Sequence, residues 1–121
     1  MSTVLAGKRI LIVEDEFMIA ILLEDMLTEL NCSIAGISAN LTQALELIGS
    51  TEIDAAVLDV NLDGHDSFAV AAALVKRRIP FIFATGYGAS RLPQELLGHT
   101  VVQKPYRLEE LSMAFSQLPL L

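Results

Sequence analysis

Five short apolar segments alternate with stretches of helical periodicity, and this alternation constrains the fold more than any other feature of the chain. Most of their residues are branched or aromatic, as in buried strands. Because they are apolar on both faces, the sequence predicts a parallel sheet covered by helices on both sides. The predicted strands are Ile10–Val13, Ser33–Ile37, Ala55–Leu58, Phe81–Ala84 and Val101–Gln103.

Apolar residues in the intervening segments recur every three or four positions, which predicts amphipathic helices. Asn40 is a favoured N-cap residue for the second helix, and Gly49 predicts its end. Ser67 is a cap candidate for the third helix, which we expect to reach Arg78 before Pro80. The predicted helices are one whose buried face runs from Ile19 to Leu30, then Leu41–Ile48, Phe68–Arg78 and Arg91–Leu97, and a last one whose apolar stripe runs from Leu108 to Leu118.

Size and composition limit the possible classes of protein. A chain of 121 residues that is 53% hydrophobic can fill one core, so residues 1–121 are expected to form a single domain. A net charge of −7 opposes binding to nucleic acid. No segment approaches the roughly 18 uncharged apolar residues that a membrane-spanning helix needs. The single Cys32 and the missing signal peptide favour a cytoplasmic protein.

Polar side chains follow the predicted strands where chemistry is expected in such sheets. Ligands of doubly wound sheets bind at the carboxyl ends of the strands, which share one edge. Strand one is followed by Glu14, Asp15 and Glu16, and strand three by Asp59 with Asn61 close behind. Strand four ends at Thr85-Gly86 and strand five at Lys104-Pro105. The charged side chains are therefore expected to converge.

Three converging carboxylates repel one another unless a cation is present. Mg²⁺ fits, because it needs few protein carboxylates and keeps water ligands for a phosphate. The run Glu14–Glu16 has a second explanation, since acidic residues are favoured at a helix N-terminus. Combined with Asp59 and Lys104, the metal site is the better explanation.

Asp59 ends an apolar strand, where its carboxylate can attack phosphorus and form an acyl phosphate. The Lys104 ammonium is placed to neutralise the phosphoryl charge, and the Thr85 hydroxyl to donate a hydrogen bond to it. An ordinary solvated lysine and a strand-ending threonine bonded to its own backbone are the alternatives for these two residues.

These residues together resemble the receiver domains of two-component response regulators, over Lys8 to Gln117. The segment Phe83–Gly88 looks more specifically like the mostly single-domain FATGUG subgroup. The resemblance implies a flavodoxin-like doubly wound fold with strand order 2-1-3-4-5. It rests on Leu11–Glu16, Val57–Asn61, Thr85-Gly86 and Lys104-Pro105, in the order of the family.

The resemblance also implies residue roles. Asp59 would accept a phosphoryl group from a histidine kinase or histidine phosphotransferase, with help from Thr85 and Lys104. The Mg²⁺ ligands would be Asp15, Asp59, the backbone carbonyl of Asn61, and Glu14 through a water. Asn61 and Tyr87 occupy positions that set the rate of hydrolysis.

The chain departs from the family pattern where many receivers carry an aromatic switch residue. Val101 stands there, so this chain lacks an aromatic side chain at the position that couples to the threonine in many receivers. Tyr106 is the alternative switch residue, although an ordinary packing role suits it better. The segment 86–98 is short and rich in glycine, and we expect it to respond to phosphorylation.

The resemblance places the downstream protein partner on the face formed by the fourth helix, fifth strand and fifth helix. The apolar tail from Leu118 to Leu121 hints at a weak homodimer. A magnesium-dependent aspartyl-phosphate phosphatase is the alternative. Such enzymes carry a second aspartate where this chain has Asn61. A nucleotide-binding fold would need a glycine-rich loop in place of Glu14–Glu16.

Overall fold

A computed structural model of the chain describes residues 5–62, 64–86 and 99–119. Its strands are β1 (Arg9–Val13), β2 (Ser33–Ser38), β3 (Ala55–Asp59), β4 (Asn61–Leu62), β5 (His65–Asp66), β6 (Phe81–Thr85) and β7 (Val101–Gln103). Its helices are α1 (Phe17–Glu29), α2 (Leu41–Ser50), α3 (Phe68–Lys76) and α4 (Leu108–Ser116).

The central sheet has five parallel strands in the order β2-β1-β3-β6-β7. This is the predicted flavodoxin-like order, since β6 and β7 are the fourth and fifth predicted strands. The order reverses direction between β1 and β3, which places a crevice at their carboxyl ends. The fold class is therefore confirmed, and each predicted strand lies within one residue of the observed bounds.

Side chains of the sheet alternate between two apolar cores. In β1, Ile10 and Ile12 pack on the side of α1 and α4, whereas Leu11 and Val13 pack on the side of α2 and α3. All four are at most 1% exposed. The strands that carry the polar ends are thus anchored from both faces. No helix in the described ranges is long and apolar enough to cross a bilayer.

Two predicted helix ends were wrong. Gly49 lies inside α2, which continues to Ser50 because the Thr51 N–H still bonds the Leu47 carbonyl at 2.9 Å. The third helix ends at Lys76, two residues before the predicted Arg78.

A left-handed turn explains the early end of α3. Arg78 has a φ of 58°, and the following Ile79 N–H bonds back to the Leu74 carbonyl at 2.9 Å. This is the six-to-one bond that closes many helices.

Asn40 caps α2 as predicted, accepting a hydrogen bond from the Gln43 N–H at 2.9 Å. Ser67 precedes α3 but does not cap it. Its hydroxyl donates instead to the Val60 carbonyl at 3.1 Å. Ser67 therefore ties the start of α3 to the segment that follows β3.

A small antiparallel hairpin of β4 and β5, which the sequence pattern did not predict, follows the central strand. Its strands have two residues each, too short for the alternation that reveals a strand. The predicted helix Arg91–Leu97 lies outside the described residues.

Cys32 offers a test of how tightly the core is closed. Burial raises the pKa of its thiol to about 11. Since the native state then holds the proton more tightly than the unfolded state, stability is unaffected below pH 9 and falls as pH rises from 9 to 11. Relative to Cys32→Ala, the wild type should lose about 1.4 kcal/mol more on going from pH 8 to pH 10. Urea titrations at both pH values measure this; a parallel response of the two proteins would contradict the burial.

Candidate functional site

The carboxyl ends of the central strands border a cleft of about 470 Å³. Asp59 is the last residue of β3, Thr85 the last of β6, and Lys104 directly follows β7. Asp15 follows β1 by two residues and lies in the same cleft. The structure therefore brings together the side chains that the sequence predicted to converge.

The Lys104 ammonium connects the acidic side chains. Its Nζ donates a hydrogen bond to Asp59 Oδ2 at 3.0 Å and lies 2.9 Å from Glu14 Oε1. A third carboxylate, Glu16, is 3.5 Å away. The Lys104 side chain is only 11% exposed, so it is an interior cation and not the solvated lysine of the alternative explanation.

Glu14 is 3% exposed, and its two oxygens have different neighbours. Oε2 accepts a hydrogen bond from the Glu16 N–H at 3.0 Å, whereas Oε1 is in ion-pair contact with Lys104 at 2.9 Å. Burial raises the pKa of Glu14 to about 7, although the neighbouring ammonium lowers it. Glu14 is therefore a costly charge that depends on Lys104.

Burial and ion pairing also shift the pKa of Lys104. Burial by itself would lower the pKa of its ammonium, but the contacts with Glu14 and Asp59 outweigh burial, and its pKa lies above the ordinary value. The ammonium consequently keeps its proton at any physiological pH.

Two segments shape the rim beside Asp59. The Asn61 N–H donates to Asp59 Oδ1 at 3.2 Å, which orients the carboxylate. The side chain of Asn61 accepts a bond from the Gly64 N–H at 3.1 Å, and Gly64 has the left-handed φ of 84° that this tight turn requires. Thr85 is 2% exposed and lines the cleft from β6.

The donor set fits a small divalent cation. One carboxylate oxygen from each of Glu14, Asp15, Glu16 and Asp59 lies within 4.8 Å of the others. Asp15 and Asp59 also line the cleft. Both oxygens of Glu14 already have neighbours, which suits the predicted contact through a water. Mg²⁺ accepts such a set, since it binds one or two carboxylates and keeps several waters.

Glu16 was not among the predicted ligands, yet its carboxylate belongs to this group. The available signal was its place in the acidic run after β1. The sequence could not show that residue 16 lies within reach of Lys104, because that contact joins segments 88 residues apart.

The predicted switch residues Val101 and Tyr106 lie on opposite sides of the sheet. Val101 packs on the α2 and α3 side of the sheet. Tyr106 is 4% exposed, packs on the α1 and α4 side and also lines the cleft. Tyr87 lies outside the described residues. Among the described switch candidates other than Thr85, the structure thus brings Tyr106 and not Val101 to the acidic site.

Comparison with known proteins supplies independent evidence. Residues 10–116 match the family described as response regulator receiver domain. The transcriptional regulatory protein TcrA from Mycobacterium tuberculosis is 34% identical over 113 residues, which cover 88% of this chain and 44% of TcrA. The chain therefore spans less than half the length of this curated relative.

Solved structures agree. SdrG from Sphingomonas melonis Fr1 is 41% identical with a TM-score of 0.81, and the match covers 96% of this chain and 97% of that one. The receiver domain of the PhyR response regulator from Erythrobacter litoralis is 30% identical with a TM-score of 0.82, covering 93% and 89%.

Replacement of the central cation tests the geometry. Lys104→Met leaves Glu14 and Asp59 as neighbouring buried carboxylates with no ammonium between them, and we expect it to lower the free energy of unfolding by about 3 kcal/mol. Denaturant titration at pH 8 in EDTA measures this. Lys76→Met, at an exposed position in the last turn of α3, removes the same charge and should change stability by less than about 0.5 kcal/mol. Equal losses in the two variants would contradict the ion-pair network.

Proposed function

This chain belongs to the response regulator receiver domain family of two-component systems, and we propose that Asp59 is the residue that accepts its phosphoryl group. The single observation that carries the proposal is the Asp59 carboxylate at a cleft, 3.0 Å from a nearly buried ammonium and beside further carboxylates. A phosphorylation-gated signalling module needs such an acceptor and a neighbouring charged group whose contacts change when the acceptor is phosphorylated.

In the proposed transfer, one carboxylate oxygen of Asp59 forms a bond to phosphorus. The bond from phosphorus to the nitrogen of a donor phosphohistidine breaks, and that nitrogen takes up a proton. The product is an acyl phosphate on Asp59. Lys104 supplies a fixed positive charge for the phosphoryl oxygens, and Thr85 supplies a hydroxyl at the neighbouring strand end.

Asp15, Asp59 and the Asn61 backbone carbonyl are the proposed Mg²⁺ ligands, with Glu14 acting through a water. When bound, the metal neutralises charge on the phosphoryl oxygens. The geometry of the carboxylates supports this assignment, because Glu14, Asp15 and Asp59 would otherwise oppose the approach of a phosphate.

The module is not a classical enzyme in this proposal; it acts only on its own aspartate. The phosphatase alternative is not supported. The chain has Asn61 where those enzymes carry a second aspartate, and the Asn61 side chain is engaged in the hairpin turn with Gly64. Asn61 and Tyr87 are instead proposed to set the lifetime of the acyl phosphate.

We propose that the domain works in the cytoplasm as one unit over residues 1–121. Its phosphodonor would be a histidine kinase or histidine phosphotransferase, and its downstream partner would bind the face that includes β7 and α4. The FATGUG assignment stays a prediction, as does weak homodimer formation. Because the chain spans 44% of its curated relative, the partners of the whole protein are proposals as well.

The phosphoacceptor is tested with acetyl phosphate, Mg²⁺ and intact mass measurement. Wild type should gain one phosphoryl group that is stable to acid and labile to base, and Asp59→Asn should gain none. Asp54→Asn is the matched control, because Asp54 lies just before the opposite end of β3 and pairs with Arg9. Modification of Asp59→Asn to the wild-type level would refute the assignment. Repeated turnover of an unrelated phosphomonoester would favour the phosphatase.

The metal site is tested by thermal unfolding with and without Mg²⁺. At ten times Kd, the ion should stabilise wild type by about 1.4 kcal/mol. Asp15→Asn should abolish the effect, whereas Asp25→Asn, on the exposed face of α1, should retain it. Both variants change the net charge equally, so a loss in both would point to general screening and not to the cleft.

A further inference from the structure

Tyr106 carries a buried hydroxyl that the proposed function does not use. Its ring packs in the core between the sheet and helices α1 and α4, and the residue is 4% exposed. The hydroxyl has no hydrogen-bond partner among the described residues, although the residue lines the acidic cleft. A buried hydroxyl without a partner costs stability, and phenylalanine would fill the same space without that cost.

A buried carboxylate oxygen belongs to the same cluster. Glu14 Oε1 lies 2.9 Å from Lys104 Nζ, which is its ion-pair partner. Tyr106 follows Lys104 by two residues. Burial raises the pKa of the Tyr106 hydroxyl, and the negative charge of Glu14 is the next largest cause. Tyr106 therefore brings to the cleft a buried donor that has no hydrogen-bond partner among the described residues, and Lys104, which lines the same cleft, holds the Glu14 carboxylate.

We propose that the Tyr106 hydroxyl takes the place of the Lys104 ammonium on the Glu14 carboxylate when Asp59 carries a phosphoryl group. This inference rests on the proposed function. In this proposal the ammonium follows the phosphoryl oxygens and leaves Glu14. The Glu14 charge is then buried with one donor fewer, and the Tyr106 hydroxyl is a buried donor with no hydrogen-bond partner among the described residues.

The exchange would make Tyr106 a positioning residue of the switch. Its hydrogen bond forms in only one of two states and therefore favours that state. It would also give this chain a switch contact on the α1 and α4 side of the sheet. Val101, on the other side, offers no hydrogen-bonding group.

The conservative variant Tyr106→Phe removes the hydroxyl and keeps the ring. Without phosphate it should unfold at the same temperature as wild type or higher, since an unpaired buried hydroxyl is lost. Its affinity for the phosphoryl mimic BeF₃⁻ in Mg²⁺ should be roughly tenfold weaker, as one hydrogen bond to a charged group is missing. Fluorine NMR titrations of both proteins measure this difference. A variant that binds BeF₃⁻ as tightly as wild type would overturn the inference.

A spectroscopic readout separates the contact from a packing role. The chain has two tyrosines and no tryptophan, so in a Tyr87→Phe background Tyr106 is the single phenol. Once BeF₃⁻ binding is established there, the Tyr106 hydroxyl proton should become slow to exchange and move downfield. No change on binding would refute the exchange. A coupling from this proton to fluorine would place the hydroxyl on the phosphoryl mimic and would equally refute Glu14 as its acceptor.

The two proposals fail in different ways. If wild type neither binds BeF₃⁻ nor takes up a phosphoryl group, the proposed function fails. If wild type does both while the NMR signal of the Tyr106 hydroxyl proton does not change, the proposed function stands and the exchange on Glu14 alone is refuted.

Discussion

One ammonium group makes the acidic edge of this sheet possible. Lys104 Nζ contacts carboxylates from the ends of β1 and β3, both less than a tenth exposed. Without it, two buried negative charges would face each other, and the desolvation cost of each would be unopposed. The pKa values show the same dependence. Burial raises the pKa of Glu14 to about 7 in spite of the ammonium, and the contacts with Glu14 and Asp59 raise the pKa of Lys104. A phosphoryl group on Asp59 would compete for this one cation.

The rest of the fold holds that cation in place. Backbone bonds bring the strand ends into register, with the Lys104 N–H bonded to the Thr85 carbonyl at 2.7 Å and the Val60 N–H to the Ala84 carbonyl at 3.0 Å. Apolar side chains of these strands pack into a core on each face of the sheet. The two faces are chemically different, however. The α1 and α4 side contributes Tyr106, which also lines the cleft, whereas the α2 and α3 side contributes Phe83 and Val101.

Sequence reasoning predicted the convergence of polar side chains where residue type and strand position both carry information. Asp15, Asp59, Thr85 and Lys104 each follow or end an apolar run, and the sheet brings all four to one cleft. It failed where local patterns compete. Glycine commonly ends helices, but α2 continues past Gly49. The left-handed turn at Arg78 ends α3, and the residue type at that position did not predict such a turn. Ser67 has the side chain of a cap, but a tertiary contact with Val60 uses it.

The amino-acid sequence alone determined the alternation of strands and helices, the doubly wound class and the set of polar residues at the strand ends, because apolar periodicity and strand length are local properties. Only the tertiary structure decided which of these residues touch. The contact of Lys104 with Glu14 and Glu16 and the hairpin beside Asp59 join separate segments. The burial of the Tyr106 hydroxyl, away from any hydrogen-bond partner in the described part of the chain, depends on packing. Such facts follow from how the strands pack and are not encoded at any single position.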